Sequence, residues 1–104
     1  MAQILIVEDE ANIRRVLRKI LVDVDNNINV SEAVDGVEAI TMVDEKSYDL
    51  VLCDIKMPKK DGIEVLAHIQ KVSPQSAVVM ISGHGDLETA VKAMRMGAYD
   101  YISK

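Results

Sequence analysis

The chain has no tryptophan or phenylalanine, and only three tyrosines, one cysteine and two prolines among its 104 residues. With aromatics at 3% and hydrophobic residues at 49%, a core has to be assembled from Ile, Leu, Val, Met and Ala, which favours an aliphatic sheet buried under helices. One cysteine excludes an internal disulfide, and no signal peptide precedes the first apolar run at Ile4 to Val7, so a reducing, cytoplasmic setting is expected. No apolar stretch approaches the roughly 20 residues needed to cross a bilayer, so a soluble protein without membrane contact is expected. The net charge of -5 lacks the clustered Lys and Arg that displace counterions from nucleic-acid phosphates. Any nucleic-acid contact is therefore left to another domain.

The length suits one core, and a single domain over residues 1–104 is expected. Ile4-Leu5-Ile6-Val7, Leu50-Val51-Leu52-Cys53 and Ala77-Val78-Val79-Met80-Ile81 are short continuous apolar runs, the pattern of parallel strands covered on both faces. Ile28-Asn29-Val30 and Tyr99-Asp100-Tyr101-Ile102 are more polar and suit sheet edges.

Four helical patterns lie between these strands. Ile13, Val16, Leu17, Ile20 and Leu21 recur on one helix face, with Arg14, Arg15, Arg18 and Lys19 on the other as a solvated basic stripe. Leu87, Ala90, Val91 and Met94 repeat the pattern, closed by Gly97 as a C-cap. Val37, Ile40 and Val43, and then Ile63, Leu66 and Ile69, mark two weaker helices. Alternation of five strands with four helices predicts an α/β fold with a doubly wound, five-stranded parallel sheet. The chain stops at Lys104, directly after the fifth strand, where one more helix would be needed to cover that edge. Either the chain is cut short or something else covers it.

Ligands of an open parallel sheet bind beyond the carboxyl ends of the strands, where loops diverge and helix N-termini converge. The first strand ends in Glu8-Asp9, the third in Asp54, the fourth in Ser82 and the fifth in Lys104. Carboxylates gathered at one edge disfavour each other's ionised state, and a hard divalent ion removes that conflict. Mg²⁺ is held at about 2.1 Å by one or two carboxylates, carbonyl oxygen and waters. Asp9 and Asp54 can supply the carboxylates, the following loop a carbonyl, and Glu8 a contact through water. A carboxylate is also a nucleophile towards phosphorus, and the charge on the transferring phosphoryl oxygens needs fixed cations and donors. Mg²⁺, the Lys104 ammonium and the Ser82 hydroxyl are placed to provide them.

These residues give the chain its resemblance to the CheY-like receiver domains of two-component response regulators. The likeness runs from Ile4 to Lys104 through Ile-Val-Glu8-Asp9-Glu10, Leu52-Cys53-Asp54-Ile55-Lys56-Met57-Pro58 with Asp61-Gly62, Ile81-Ser82-Gly83, and Gly97-Ala98-Tyr99-Asp100-Tyr101-Ile102-Ser103-Lys104. The resemblance implies a flavodoxin-like strand order of 2-1-3-4-5. It implies that Asp54 takes a phosphoryl group from a sensor histidine kinase or a small donor such as acetyl phosphate. It further implies that Asp9, Asp54 and the Lys56 carbonyl hold Mg²⁺ with Glu8 in the outer shell, and that Lys104 pairs with the phosphoryl group. Ser82 would then swing to a phosphoryl oxygen and Tyr101 rotate inward with it. Lys56 and His84 are the positions implied to tune the phosphoryl lifetime.

Ser82-Gly83-His84-Gly85-Asp86-Leu87-Glu88-Thr89-Ala90 is similar to receivers of the nitrogen-regulatory, NtrC-type class. That implies a C-terminal ATPase and a DNA-binding output domain in the full-length protein, and a homodimer built on the fourth helix, fifth strand and a fifth helix. Members of the family usually continue with a Pro and that fifth helix, both absent here.

Plainer readings stand beside several of these. Tyr101 reads equally as an edge packing residue, and His84 as a plain loop residue. Cys53 reads as core, and His68 as a surface residue without a partner. The competing function is a Mg²⁺-dependent phosphohydrolase of the haloacid dehalogenase type, but such enzymes place a second aspartate two residues after the nucleophile, where this chain has Lys56. A pseudo-receiver that signals without phosphorylation would have no need of a complete carboxylate set.

Overall fold

The computed structural model describes residues 2–57, 59–83 and 86–103. The apolar runs form β1 (Gln3–Val7), β3 (Leu50–Asp54) and β4 (Ala77–Ser82), and the more polar ones form β2 (Asn29–Ala33) and β5 (Asp100–Ser103). Between them lie α1 (Ala11–Val24), α2 (Gly36–Glu45), α3 (Gly62–Val72) and α4 (Leu87–Met96). All pairings are parallel in the order β2-β1-β3-β4-β5, so the continuous apolar strands are interior and the polar ones are edges, as their composition predicts.

Alternation along the strands divides the core in two. Leu5, Val7, Val51, Cys53, Val78 and Met80 pack with Ala39, Val43, Val65, Leu66, Ile69, Ala90 and Ala93 of α2, α3 and α4. Ile6, Val30, Leu52 and Ile81 face the other way, towards Leu17 and Leu21 of α1.

Three helical stripes differ from their sequence periodicity. In α1, which lies mainly over β1 and β2, Ile13, Leu17 and Leu21 are half-buried while Val16 and Ile20 stay exposed. The inward residues of α2 are Gly36, Ala39 and Val43, and Val37 points outward. In α4 the alanines Ala90 and Ala93 are buried, whereas Leu87, Val91 and Met94 are exposed. Small side chains let a helix approach the sheet closely, which turns its larger apolar residues to the flanks. Gly97 caps α4 at φ 109, and its N–H bonds to the Ala93 and Met94 carbonyls, so only a residue tolerant of the left-handed region closes this helix cheaply.

Candidate metal centre

Parallel strands deliver their carboxyl ends to one edge, which is where the acidic side chains meet. Asp54 is the last residue of β3, and Glu8 and Asp9 follow β1 directly. Glu8 and Asp54 are buried, Asp9 is exposed, and carboxylate oxygens from all three lie within 4.8 Å of one another. Buried carboxylates this close are costly without positive charge among them. The donor set is all oxygen with two or three carboxylates, which suits a hard divalent ion such as Mg²⁺.

Ser82 ends β4, which pairs with β3, and is buried, its hydroxyl donating to the Ile102 carbonyl at 3.4 Å. Tyr101 of β5 is half-buried and packs against the larger core cluster. Lys104 and His84 lie outside the described residues. Lys56 extends from the loop after β3, its ammonium 2.9 Å from an Asp86 carboxylate oxygen. Asp86 is itself buried and accepts from the Gly83 N–H at 2.9 Å, closing the turn between β4 and α4.

The loop after Asp54 is held from several sides. The Gly62 N–H bonds to the Ile55 carbonyl at 2.8 Å, and a methyl group on Gly62 would collide with the Asp54 carbonyl oxygen. Asp61 and Glu64 form a reciprocal capping box at the start of α3, so the Asp61-Gly62 pair turns the chain into that helix as its sequence suggests. Lys59 adopts φ 69, and its ammonium is 3.2 Å from Asp35, the N-cap of α2. The Glu38 N–H, and secondarily Lys59, hold the Asp35 carboxyl below the usual carboxylate range. A methyl on Gly36 would strike the Lys60 carbonyl, so the start of α2 and the end of the loop that leads from Asp54 into α3 touch closely.

Sequence reasoning missed three partnerships. Arg14 and Arg18 are not a solvated stripe: both guanidinium groups bind Glu32 of β2, at 3.0 and 2.6 Å, and Arg14 is largely buried. Arg18, with burial opposing and Arg14 assisting, lowers the Glu32 pKa. The available signal was the position of Glu32, two residues after buried Val30 and so on the same inward face, where a carboxylate needs a cation. The second is the Lys56 to Asp86 pair. The third is His68, which has a partner after all: its Nε2 lies 2.7 Å from Asp44, tying α3 to α2. Cys53 is fully buried, and burial, followed by the nearby carboxylates, pushes its thiol far up.

With fold and site in place, residues 4–104 match the model of the response regulator receiver domain, and the chain belongs to that family. It is similar to a putative NtrX-like response regulator of Rickettsia bellii, at 41% identity over 106 residues, spanning all of this chain and 22% of the relative. It is also similar to the transcriptional regulatory protein ZraR of Klebsiella oxytoca, at 38% identity over 101 residues, spanning 97% of this chain and 22% of the relative. The crystal structure of a response regulator receiver domain protein from Clostridium thermocellum superposes with a TM-score of 0.90 at 38% identity, covering 100% of this chain and 82% of that one. The phosphohydrolase alternative is not favoured, since the family is regulatory and the position two after Asp54 carries a paired lysine. Among the described residues, no helix is long and apolar enough to cross a membrane.

Proposed function

We propose that the chain is a phosphoacceptor switch in which the Asp54 carboxylate takes a phosphoryl group from a sensor histidine kinase or a small phosphodonor. A carboxylate oxygen attacks phosphorus, the bond from phosphorus to the donor's leaving group breaks with its electron pair, and Asp54 is left as an acyl phosphate. Attack of water on phosphorus later returns the carboxylate and inorganic phosphate. The observation that carries the reading is the meeting of Glu8, Asp9 and Asp54 oxygens within 4.8 Å at the end of an interior parallel strand, in a chain of the receiver family.

Asp9, Asp54 and the Lys56 carbonyl are the residues suited to hold Mg²⁺, with Glu8 acting through water. When bound, the ion supplies charge compensation for the transferring phosphoryl oxygens. Ser82 and Lys104 offer a hydroxyl and an ammonium to the same oxygens. Tyr101, one strand away, is the group whose packing would report the change. Lys56 and His84 are the positions that would tune hydrolysis of the phosphoryl group. By analogy with the NtrX-like and ZraR relatives, which are several times longer, the switch controls a further domain in transcription regulation, through an ATPase and DNA-binding region or a homodimer. Such a protein works in the cytoplasm.

Incubation with acetyl phosphate and Mg²⁺ should add one phosphoryl group to the intact mass, and Asp54→Asn should abolish it. Labelling that persists in that variant, or is unchanged with EDTA, overturns the assignment.

A further inference from the structure

Arg14 sits in the first turns of α1, and its side chain is only 15% exposed. Its Nε donates to a Glu32 carboxylate oxygen at 3.0 Å, and its Nη1 donates to the backbone carbonyl of Glu8 at 2.8 Å. Arg18 holds the other Glu32 oxygen at 2.6 Å and the Val30 carbonyl at 3.0 Å. The Arg14 fork is therefore braced against β2 at one end and grips the end of β1 at the other.

The Glu8 carbonyl belongs to the same rigid peptide plane as the Asp9 N–H. On the other side of Glu8, its own N–H is bonded to the Ala33 carbonyl at 3.1 Å. Its carboxylate accepts from the Glu10 N–H at 3.2 Å. The chain entering Asp9 is thus fixed at both peptide units, whereas the Asp9 side chain is exposed and takes its aim from that backbone.

We propose that Arg14 is a positioning residue for the cation site, holding the Glu8 to Asp9 peptide so that the Asp9 carboxylate meets that of Asp54. The inference rests on the reading above that Asp9 and Asp54 hold Mg²⁺. In this role Arg14 acts through the Glu8 carbonyl and not as a ligand.

Positioning and bare charge predict opposite signs. Removing a cation from the surroundings of a divalent-ion site strengthens binding if only charge matters. Loss of an outer support that orients a ligand weakens it, by about tenfold in comparable sites. Lysine keeps the charge but cannot reproduce the planar fork.

The test is Mg²⁺ titration of the wild-type chain and of Arg14→Gln, Arg14→Lys, Glu32→Gln and the exposed control Arg15→Gln, by calorimetry and by the amide resonance of Asp9. Urea melts identify the variants that remain folded. The expected result is about tenfold weaker Mg²⁺ binding in Arg14→Gln, a smaller loss of the same sign in Arg14→Lys and Glu32→Gln, and no change in Arg15→Gln. Mg²⁺ binding by Arg14→Gln as tight as wild type or tighter overturns the role of Arg14 and leaves the cation site standing. If Arg14→Gln does not fold, unchanged binding in Arg14→Lys and Glu32→Gln overturns it equally. A wild-type chain that takes up no Mg²⁺ overturns the cation site, and the positioning role with it.

Discussion

The Lys56 ammonium lies 2.9 Å from the Asp86 carboxylate, joining the loop after β3 to the residue before α4. The partners are unequal, since the lysine side chain is 73% exposed and the aspartate 3%. Solvent screening at the lysine end limits the ion pair to about 0.5 to 1 kcal/mol. Asp86→Asn removes that charge yet keeps an oxygen for the Gly83 N–H, whereas Asp86→Ala removes both and should cost about 1 to 2 kcal/mol more. Urea denaturation of the two variants measures the difference, and equal midpoints would show that the turn bond to Gly83 contributes nothing.

Gly62 and Gly83 flank the same site but differ in what surrounds them. A methyl on Gly62 meets the Asp54 carbonyl and the Ile55 Cα at 2.8 Å, both backbone atoms that cannot move aside. Among the described residues, a methyl on Gly83 meets only an Asp86 side-chain oxygen at 3.3 Å. Gly62→Ala should therefore lose about 2 kcal/mol or more, and Gly83→Ala should stay within about 1 kcal/mol of wild type. Comparable losses in the two variants would contradict this account of the loop.

The sheet was legible because its three interior strands are continuous apolar runs, interrupted only by Gln3 at the start of β1 and by Asp54 and Ser82 at the ends of β3 and β4. The acidic edge followed from topology, since parallel strands must present Glu8, Asp9, Asp54 and Ser82 on the same side. Helix faces were less legible. Periodicity cannot distinguish an alanine stripe from a leucine stripe, and in α4 it is Ala90 and Ala93 that touch the core while Leu87 and Val91 do not. The second strand was read too short because Ser31 and Glu32 are polar, and Glu32 is tolerated there only through Arg14 and Arg18, which lie 18 and 14 residues away along the chain. Pairings of that kind are invisible to any local window.

The Glu32 network has a pH signature. Arg18 first, then Arg14 against the opposing effect of burial, depress the folded carboxyl below its unfolded value of about 4.5. A group lowered on folding contributes its stability above the unfolded pKa and loses it as pH falls through the folded one. Glu32→Gln should thus be less stable than wild type at pH 7, with the gap unchanged down to about pH 4.5 and closing below it. Paired urea melts across that range provide the measurement. A gap that persists undiminished at the lowest pH where both proteins still fold would mean that Glu32 acts through its shape and not its charge.

Cys53 precedes Asp54 in β3, with its side chain on the opposite face of the sheet, fully buried among aliphatic groups. Burial disfavours the thiolate, and the carboxylates of Asp54, Asp61 and Glu8 disfavour it further, so the thiol is held far above its ordinary range. Only the thiolate attacks a disulfide reagent, and a buried thiol must first be uncovered by opening of the strand. The native chain should therefore react with an aromatic disulfide reagent at pH 8 at least about a hundredfold more slowly than the same chain in denaturant, where one thiol per molecule is released at the rate of a free cysteine. Because β3 pairs with β1 and β4 on its two sides, a local opening that exposes Cys53 also disrupts the frame of Asp54. Any variant that loosens the acidic site through the strand, as Gly62→Ala should, is expected to speed this labelling. Arg14→Gln, which acts at the end of β1, should leave it nearly unchanged. Rapid labelling of the wild-type chain under native conditions would contradict the burial of Cys53, and equal acceleration by both variants would mean that the end of β1 and the core of β3 open together.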